Sequence, residues 1–247
     1  MIQRLRNQLS RVRKNEDGFG LMELLVSMGL FSILATLIVA TFSSFTDVLS
    51  KDRVATANIN ASAVAMDELT RVVRAATTIP MPNADDLPAF RIADKEKIQL
   101  YAYIDTSSSS PVPVLVQFEI AVVTGIRCLV EKRWAAFPKA GNPTYWDFPN
   151  PASATPTTTR TIARMIIAPT GAEQFLFNYQ QIGTDLKPID MTIPSGGIVT
   201  TASLNKIAVV EVTVKVQTDT VTQLAPPALI TNQVGIPNLG VSRLALS

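Results

Sequence analysis

From Leu24 to Thr46 the chain carries no charged residue, and the run GFGLMELLVSMGLFSILATLIVATF that leads into this stretch holds a single carboxylate, Glu23. No other feature constrains the fold so tightly. Wound as one α-helix from Phe19 to Thr46, the segment is about 42 Å long at a rise of about 1.5 Å per residue. The hydrocarbon core of a bilayer is about 30 Å thick, so the segment reads as a spanning helix whose end protrudes. An ionised acid inside it costs about 2.5–3.5 kcal/mol on insertion scales. Glu23 therefore calls for a partner.

Upstream, Arg4, Arg6, Arg11, Arg13 and Lys14 stand against only Glu16 and Asp17. A basic flank of this kind holds the amino terminus in the cytoplasm and sends the body across the membrane. A secretory signal peptide has an apolar region of about 7–15 residues followed by small residues at a cut, which is shorter than this run. A plain single-pass anchor accounts for the length and the arginines. It leaves Glu23 and the abrupt Gly18-Phe19 boundary unexplained.

The string Gly18-Phe19-Gly20-Leu21-Met22-Glu23 resembles the cleavage and methylation motif of type IV prepilins and type II secretion pseudoprepilins. Four features coincide: a basic leader, Gly at the cut, Phe after it, and Glu four residues further on in an uncharged span. The resemblance implies that a membrane-bound prepilin peptidase cuts between Gly18 and Phe19 and N-methylates Phe19. Residues 1–18 are then a removed leader, 19–46 a transmembrane and filament-core helix, and 47–247 an extracytoplasmic pilin-like domain, helical to about residue 79. Cutting would free a cationic amine at the end of an apolar helix. Glu23 of a neighbouring subunit would pair with it, because opposite charges attract strongly at low dielectric and an unpaired one is costly there. Glu23 would thus set the register of subunits packing helix against helix. Many major pilins carry a proline in the middle of this helix. Phe31–Phe45 has none, and Gly29 is the only interior helix weakener, costing about 1 kcal/mol relative to Ala. Local melting of the helix does not carry over from the family.

Composition narrows the chemistry. The chain has no histidine and one cysteine, Cys128. This removes the commonest general base and metal ligand, excludes an intrachain disulfide, and forbids a Ser-His-Asp or Cys-His catalytic group. The net charge of +2 is concentrated in the leader, which leaves a near-neutral body unsuited to nucleic acid. No enzyme activity, cofactor or metal is expected. Asp85-Asp86 with Asp94, and Asp185 with Asp190, lack the spacing of a calcium loop and read as solvated turns. Gly196-Gly197 has no following Lys to make a phosphate loop and reads as a turn. Cys128 reads as a small buried hydrophobe.

Beyond the membrane run, Ile59, Ala63, Met66, Leu69, Val73 and Ala76 recur at helical spacing as one apolar stripe, flanked by Val64 and Val72. Asp67 and Arg71 are placed to pair at i,i+4. Pro80 and Pro82 end the helix. Candidate strands follow at Lys97–Ile104, Val114–Val123, Ile126–Trp134, Thr161–Ile167, Gln174–Tyr179 and Ile207–Val216, with a short last one near Val241–Leu246. Strict alternation over Val210–Val216 marks a half-buried antiparallel strand, and Gly125 turns a hairpin. Ser107–Pro113 is a connector. Phe137–Thr159 exceeds the usual loop length and holds Tyr145 and Trp146, which either form a contact patch or, more simply, fold back onto the sheet.

The expected class is therefore α+β: one long helix laid on antiparallel sheet. The same architecture follows from the resemblance, which is sharp over residues 1–46 and beyond them rests on element order. A body of this size with long loops and no disulfide resembles minor pilins or large pseudopilins of the J or W type more than a major subunit. Two functions are in view. One is a subunit that initiates, caps or decorates a type IV pilus or a secretion or competence pseudopilus, moving from the inner membrane to a fibre at the cell surface or in the periplasm. The other is a singly anchored extracytoplasmic binding protein that never polymerises.

Overall fold

A computed structural model describes residues 20–82, 85–104, 111–170, 175–184, 187–193, 198–218 and 224–237. Gly18, Phe19, Asp185, Gly196, Gly197 and the expected strand at Val241–Leu246 lie outside them. Among the described residues one α-helix, α1 (Leu21–Arg74), precedes an all-antiparallel β region. The chain divides into two compact units, one ending at Lys51 and the other running from Asp52, and α1 contributes residues to both. The arrangement is α+β, as expected.

In the second unit the strands are β1 (Phe90–Ala93), β2 (Lys97–Ala102), β3 (Val114–Val123), β4 (Ile126–Ala135), β5 (Phe137–Lys139), β6 (Asn142–Asp147), β7 (Thr158–Arg164), β8 (Phe177–Ile182), β9 (Pro188–Asp190), β10 (Val209–Val216) and β11 (Ala228–Gly235). A 3-10 helix, Thr201–Lys206, precedes β10. They form a five-stranded sheet in the order β1-β2-β3-β4-β7, a four-stranded sheet in the order β11-β10-β8-β9, and the hairpin β5-β6. The β3–β4 hairpin closes through Thr124 and Gly125, both at positive φ (51° and 81°). That is the two-residue turn whose twist matches the strands, and Gly at its second position meets no Cβ penalty.

Val210, Val212, Val214 and Val216 are all fully buried, as their alternation predicts. They join Leu69, Val72, Val73 and Ala76 of the helix, Ile98, Leu100 and Phe118 of the first sheet, and Phe177 and Tyr179 in one core. Each Val, Leu, Ile or Phe among them contributes about 1.5–3 kcal/mol on leaving water. The opposite face of β10 is more covered than the expected half-burial, because β10 sits between β11 and β8. Glu211 there accepts hydrogen bonds from Asn178 and Gln233 on those neighbours.

A second, smaller apolar cluster holds Ile79, Tyr101, Leu115 and Trp134. The segment 137–159 covers it rather than forming an open loop. The Phe148 ring lies 4.5 Å from that of Tyr101, and Trp134 Nε1 donates to the Ala154 carbonyl at 2.9 Å. Tyr145 and Trp146 are half-buried on β6, in keeping with the folded-back expectation.

Three expectations are corrected. First, α1 ends at Arg74, before the expected stop near residue 79. Ala76 bridges Ala102 and Ile79 bridges Leu87, and the Thr77 amide donates to Tyr101 O at 2.9 Å. Sheet pairing captures the β-branched run Thr77-Thr78-Ile79 before Pro80 is reached. Second, the buried face of the helix is Asn58, Ser62, Ala65, Met66, Leu69, Val72 and Val73, while Ile59 and Val64 are exposed (54% and 62%) and Ala63 is exposed as well. Asn58 accounts for the rotation. Its Oδ1 accepts from the Thr218 amide and hydroxyl at 2.7 and 2.8 Å, and its Nδ2 donates to Pro226 O at 3.0 Å. A polar residue that finds all these partners outcompetes an apolar neighbour for the interior. Third, the hydrogen-bonded partner of Arg71 is Glu68, three residues back, through two bonds of 3.0 and 2.5 Å, while Asp67 attracts it only as a weaker charge nearby.

Strand edges shift by a few residues. Thr158–Arg164 replaces Thr161–Ile167, Phe177–Ile182 replaces Gln174–Tyr179, and β2 stops at Ala102. Cys128 is buried and free, as expected. Asp85 and Asp86 are exposed, Asp94 caps the Lys95 amide, and Asp190 accepts from Gln180 at 2.9 Å.

Candidate functional site

The candidate site is the amino-terminal stretch of α1. Every large apolar side chain from Leu21 to Leu49 is exposed, on all sides of the helix. An aqueous surface helix shows one apolar stripe; one apolar all round belongs in a core or in lipid. The segment is long and apolar enough to cross a membrane.

Its hydroxyls are handled accordingly. Ser32 donates to Met28 O, Thr36 to Ser32 O and Thr41 to Leu37 O, each at 2.8 Å. Thr46 donates to Phe42 O and Ser27 to Leu24 O at 2.9 Å. Each of these five side chains folds onto its own helix one turn back, which spares it a partner in hydrocarbon.

Glu23 is the exception. It sits in the first turn, exposed, and makes no side-chain hydrogen bond or ion pair among the described residues. Its amide donates to Gly20 O at 2.9 Å, and the Leu24 amide reaches the same oxygen at 3.1 Å. A carboxylate here complements the helix dipole by about 0.3–1 kcal/mol. That falls short of the roughly 2.5–3.5 kcal/mol cost of a charge in the bilayer. The dipole alone does not account for an acid at this place. Gly18 and Phe19, the expected cleavage pair, precede the described residues, so no geometry bears on them.

A second constellation lies in the body and was not anticipated from sequence. Glu68 of α1 meets Arg71, Arg133 and Arg160, and Glu131 meets Arg133 and Arg160. Glu131 has a fully buried side chain, with Arg133 Nε 2.7 Å away. Burial would raise the Glu68 pKa, yet the Arg71 hydrogen bond and the charges of Arg160, Arg71 and Arg133 together hold it below its ordinary value. Glu119 is likewise held down against burial by Lys132 and Lys97. The network ties α1 to β4 and β7, with its acids committed to arginines, so it offers no free acid or base for catalysis. The available signal was parity: Leu129, Glu131 and Arg133 share one face of β4, and Leu129 is a core residue.

Residues 13–39 match a family profile described as the prokaryotic N-terminal methylation motif. The match spans Gly18, Phe19 and Glu23. No curated protein matches the chain. The chain thus carries a prepilin-type methylation motif on an apolar amino-terminal helix.

Proposed function

We propose that this protein is a minor pilin or pseudopilin, a structural subunit that initiates, caps or decorates a type IV pilus or a secretion or competence pseudopilus. The precursor sits in the inner membrane with residues 1–18 cytoplasmic. Prepilin peptidase removes them between Gly18 and Phe19 and methylates the new amine. The apolar helix then leaves lipid for a bundle of like helices, and Glu23 pairs with the cationic chain end of its neighbour. One observation carries this reading: Glu23, without a side-chain partner among the described residues, heads a helix whose apolar side chains are exposed on every side, within a methylation motif.

Intact-mass and amino-terminal analysis of the protein from cells containing the peptidase tests it. The expected result is a chain beginning at Phe19 and carrying one N-methyl group. A chain still beginning at Met1 would overturn the proposal in favour of a non-polymerising anchored binding protein. Glu23→Ala separates processing from assembly: the variant is expected to insert and to be cut, and to be lost from sheared fibres.

A further inference from the structure

Among the described strands that end the two larger sheets, β1, β7, β9 and β11, three are guarded. β1 is covered, since the Val199 amide donates to Ala93 O at 2.7 Å and Asp94 bridges Ile198. β7 carries Arg160 and Arg164 and shifts register against β4. β9 is short and begins with Pro188. Cover, charge, bulges and proline are the means by which proteins keep an edge from pairing with another strand. β11, ALITNQVG, has no charge, no proline and an unbroken register with β10. The Ile236 amide donates to Ala208 O at 3.1 Å, which commits the even-numbered residues of β11 to β10. The N–H and C=O groups of Leu229, Thr231, Gln233 and Gly235 therefore turn to the outer edge. The helix beside that edge is bare as well. Asn232 donates to the Thr70 hydroxyl at 3.0 Å, and Ile59 and Ala63 share this flank of α1, about three and two turns before Thr70. Both are exposed, Ile59 by 54%.

Residues 238–247 follow β11 in the chain and lie outside the described residues. We propose that 241–246 occupies this edge, returning antiparallel along β11 as a strap that closes the sheet. The connection Ile236-Pro237-Asn238-Leu239-Gly240 has the residues of a turn. Proline presets the backbone of the second position, and Asn and Gly suit the conformations that follow. A five-residue loop of this kind sets Val241 opposite Gly235, Arg243 opposite Gln233 and Ala245 opposite Thr231. Leu244 and Leu246 then share a face with Asn232 and Ile230, toward the bare flank of α1. Arg243 comes beside Gln233, which donates to the Glu211 carboxylate at 3.3 Å. A register one residue off would turn both leucines to water. A segment tethered by so short a loop acts at an effective concentration of about millimolar, which favours it over a strand from a separate chain. The strap removes an uncharged edge that would otherwise template association with other chains.

Cysteine pairs in the full-length protein, held in phosphatidylcholine nanodiscs, test this. Facing residues of an antiparallel pair stand about 5.5 Å apart at Cα, within reach of a disulfide, and the native Cys128 is buried. Under mild oxidation the double variant Thr231→Cys/Ala245→Cys is expected to form a disulfide within one chain, read by peptide mapping. The off-register pair Thr231→Cys/Val241→Cys should form it at least tenfold more slowly. Equal rates for the two pairs, or a bond found only between two chains, would overturn the proposal, the latter in favour of a second copy on the edge. Hydrogen exchange gives a second reading without new cysteines. Ending the chain after Pro237 should speed exchange of the Thr231, Gln233 and Gly235 amides at least tenfold, with tryptophan fluorescence reporting a folded body. Exchange in that folded variant equal to the full-length protein's would also overturn it.

Discussion

The two stretches of α1 on either side of Lys51 are one continuous helix made for different surroundings. From Leu21 to Leu49 the apolar side chains point in every direction and stay exposed. From Asn58 to Val73 one face is buried, and that face begins with two polar residues, Asn58 and Ser62. The first stretch satisfies five of its hydroxyls within the helix, folded back one turn. The second satisfies them across the chain, as in Asn58 to Thr218 and Ser62 to Ala228 O. A helix that keeps its hydrogen bonds to itself can exchange lipid for other helices without loss. A helix bonded to distant strands is committed to one fold. The same secondary structure is thus unpartnered and apolar all round in one part and a fixed spine in the other.

Substitutions sharpen this contrast. Both tryptophans, Trp134 and Trp146, lie in the body, so their fluorescence during urea unfolding reports that part alone. The largest effect is expected for Glu131→Ala. It removes the acceptor of two charge-assisted hydrogen bonds, worth at most about 1.5–3 kcal/mol each, and leaves Arg133 and Arg160 with Glu68 as their remaining acid. Next, Leu69→Ala removes a fully buried side chain and should cost about 3 kcal/mol. Leu37→Ala, the matching change in the exposed stretch, should leave the urea midpoint where it was. Equal losses from Leu69→Ala and Leu37→Ala would erase the distinction between the two stretches. Asn58→Ala leaves the Thr218 amide and the Pro226 carbonyl unpaired, and about 1–3 kcal/mol is expected. An unchanged midpoint would show that Asn58 does not orient the helix.

Acid gives the smallest and most graded effect. Glu68 and Glu119 are held below their ordinary pKa in the fold, so their contribution is present above the unfolded value, about 4.3, and is lost as pH falls through the lower folded values. Urea midpoints should therefore drop below about pH 4. At the other extreme, burial raises the Tyr179 phenol well above its usual value, with its hydroxyl donating to Asp94 O at 2.8 Å. The neutral phenol is the form the fold retains, so stability is lost as pH rises past the unfolded value of about 10. Helix content from the Leu21–Leu49 stretch should persist at both extremes.

What could be foreseen from sequence follows the same division. Glu23 and its apolar surroundings were legible because the constraint is local: a charge, a length and a spacing. β3, β4 and β10 were legible because long alternating runs admit little else. The rest depended on partners distant in the chain. The polar pair Asn58 and Ser62 enters the interior only because Thr218, Pro226 and Ala228 bring acceptors and donors to it. β1, β9 and β11 were missed. Phe90–Ala93 and Pro188–Asp190 are too short to show a period, and Ala228–Gly235 is an edge strand whose outward positions are free to be polar. The β5–β6 hairpin hid among prolines, which edge and isolated strands tolerate. The Glu68–Glu131 arginine network needed the register of β4 with β7 to become visible.

Asn58 is the first buried residue along α1, and this has a mechanical consequence. Any tension carried by the exposed stretch is delivered to the body at Asn58 first, then at Ser62, then at the arginine clasp around Glu68. The load is shared over several turns of helix, from three hydrogen bonds at Asn58, through one at Ser62, to the ion pairs of Glu68.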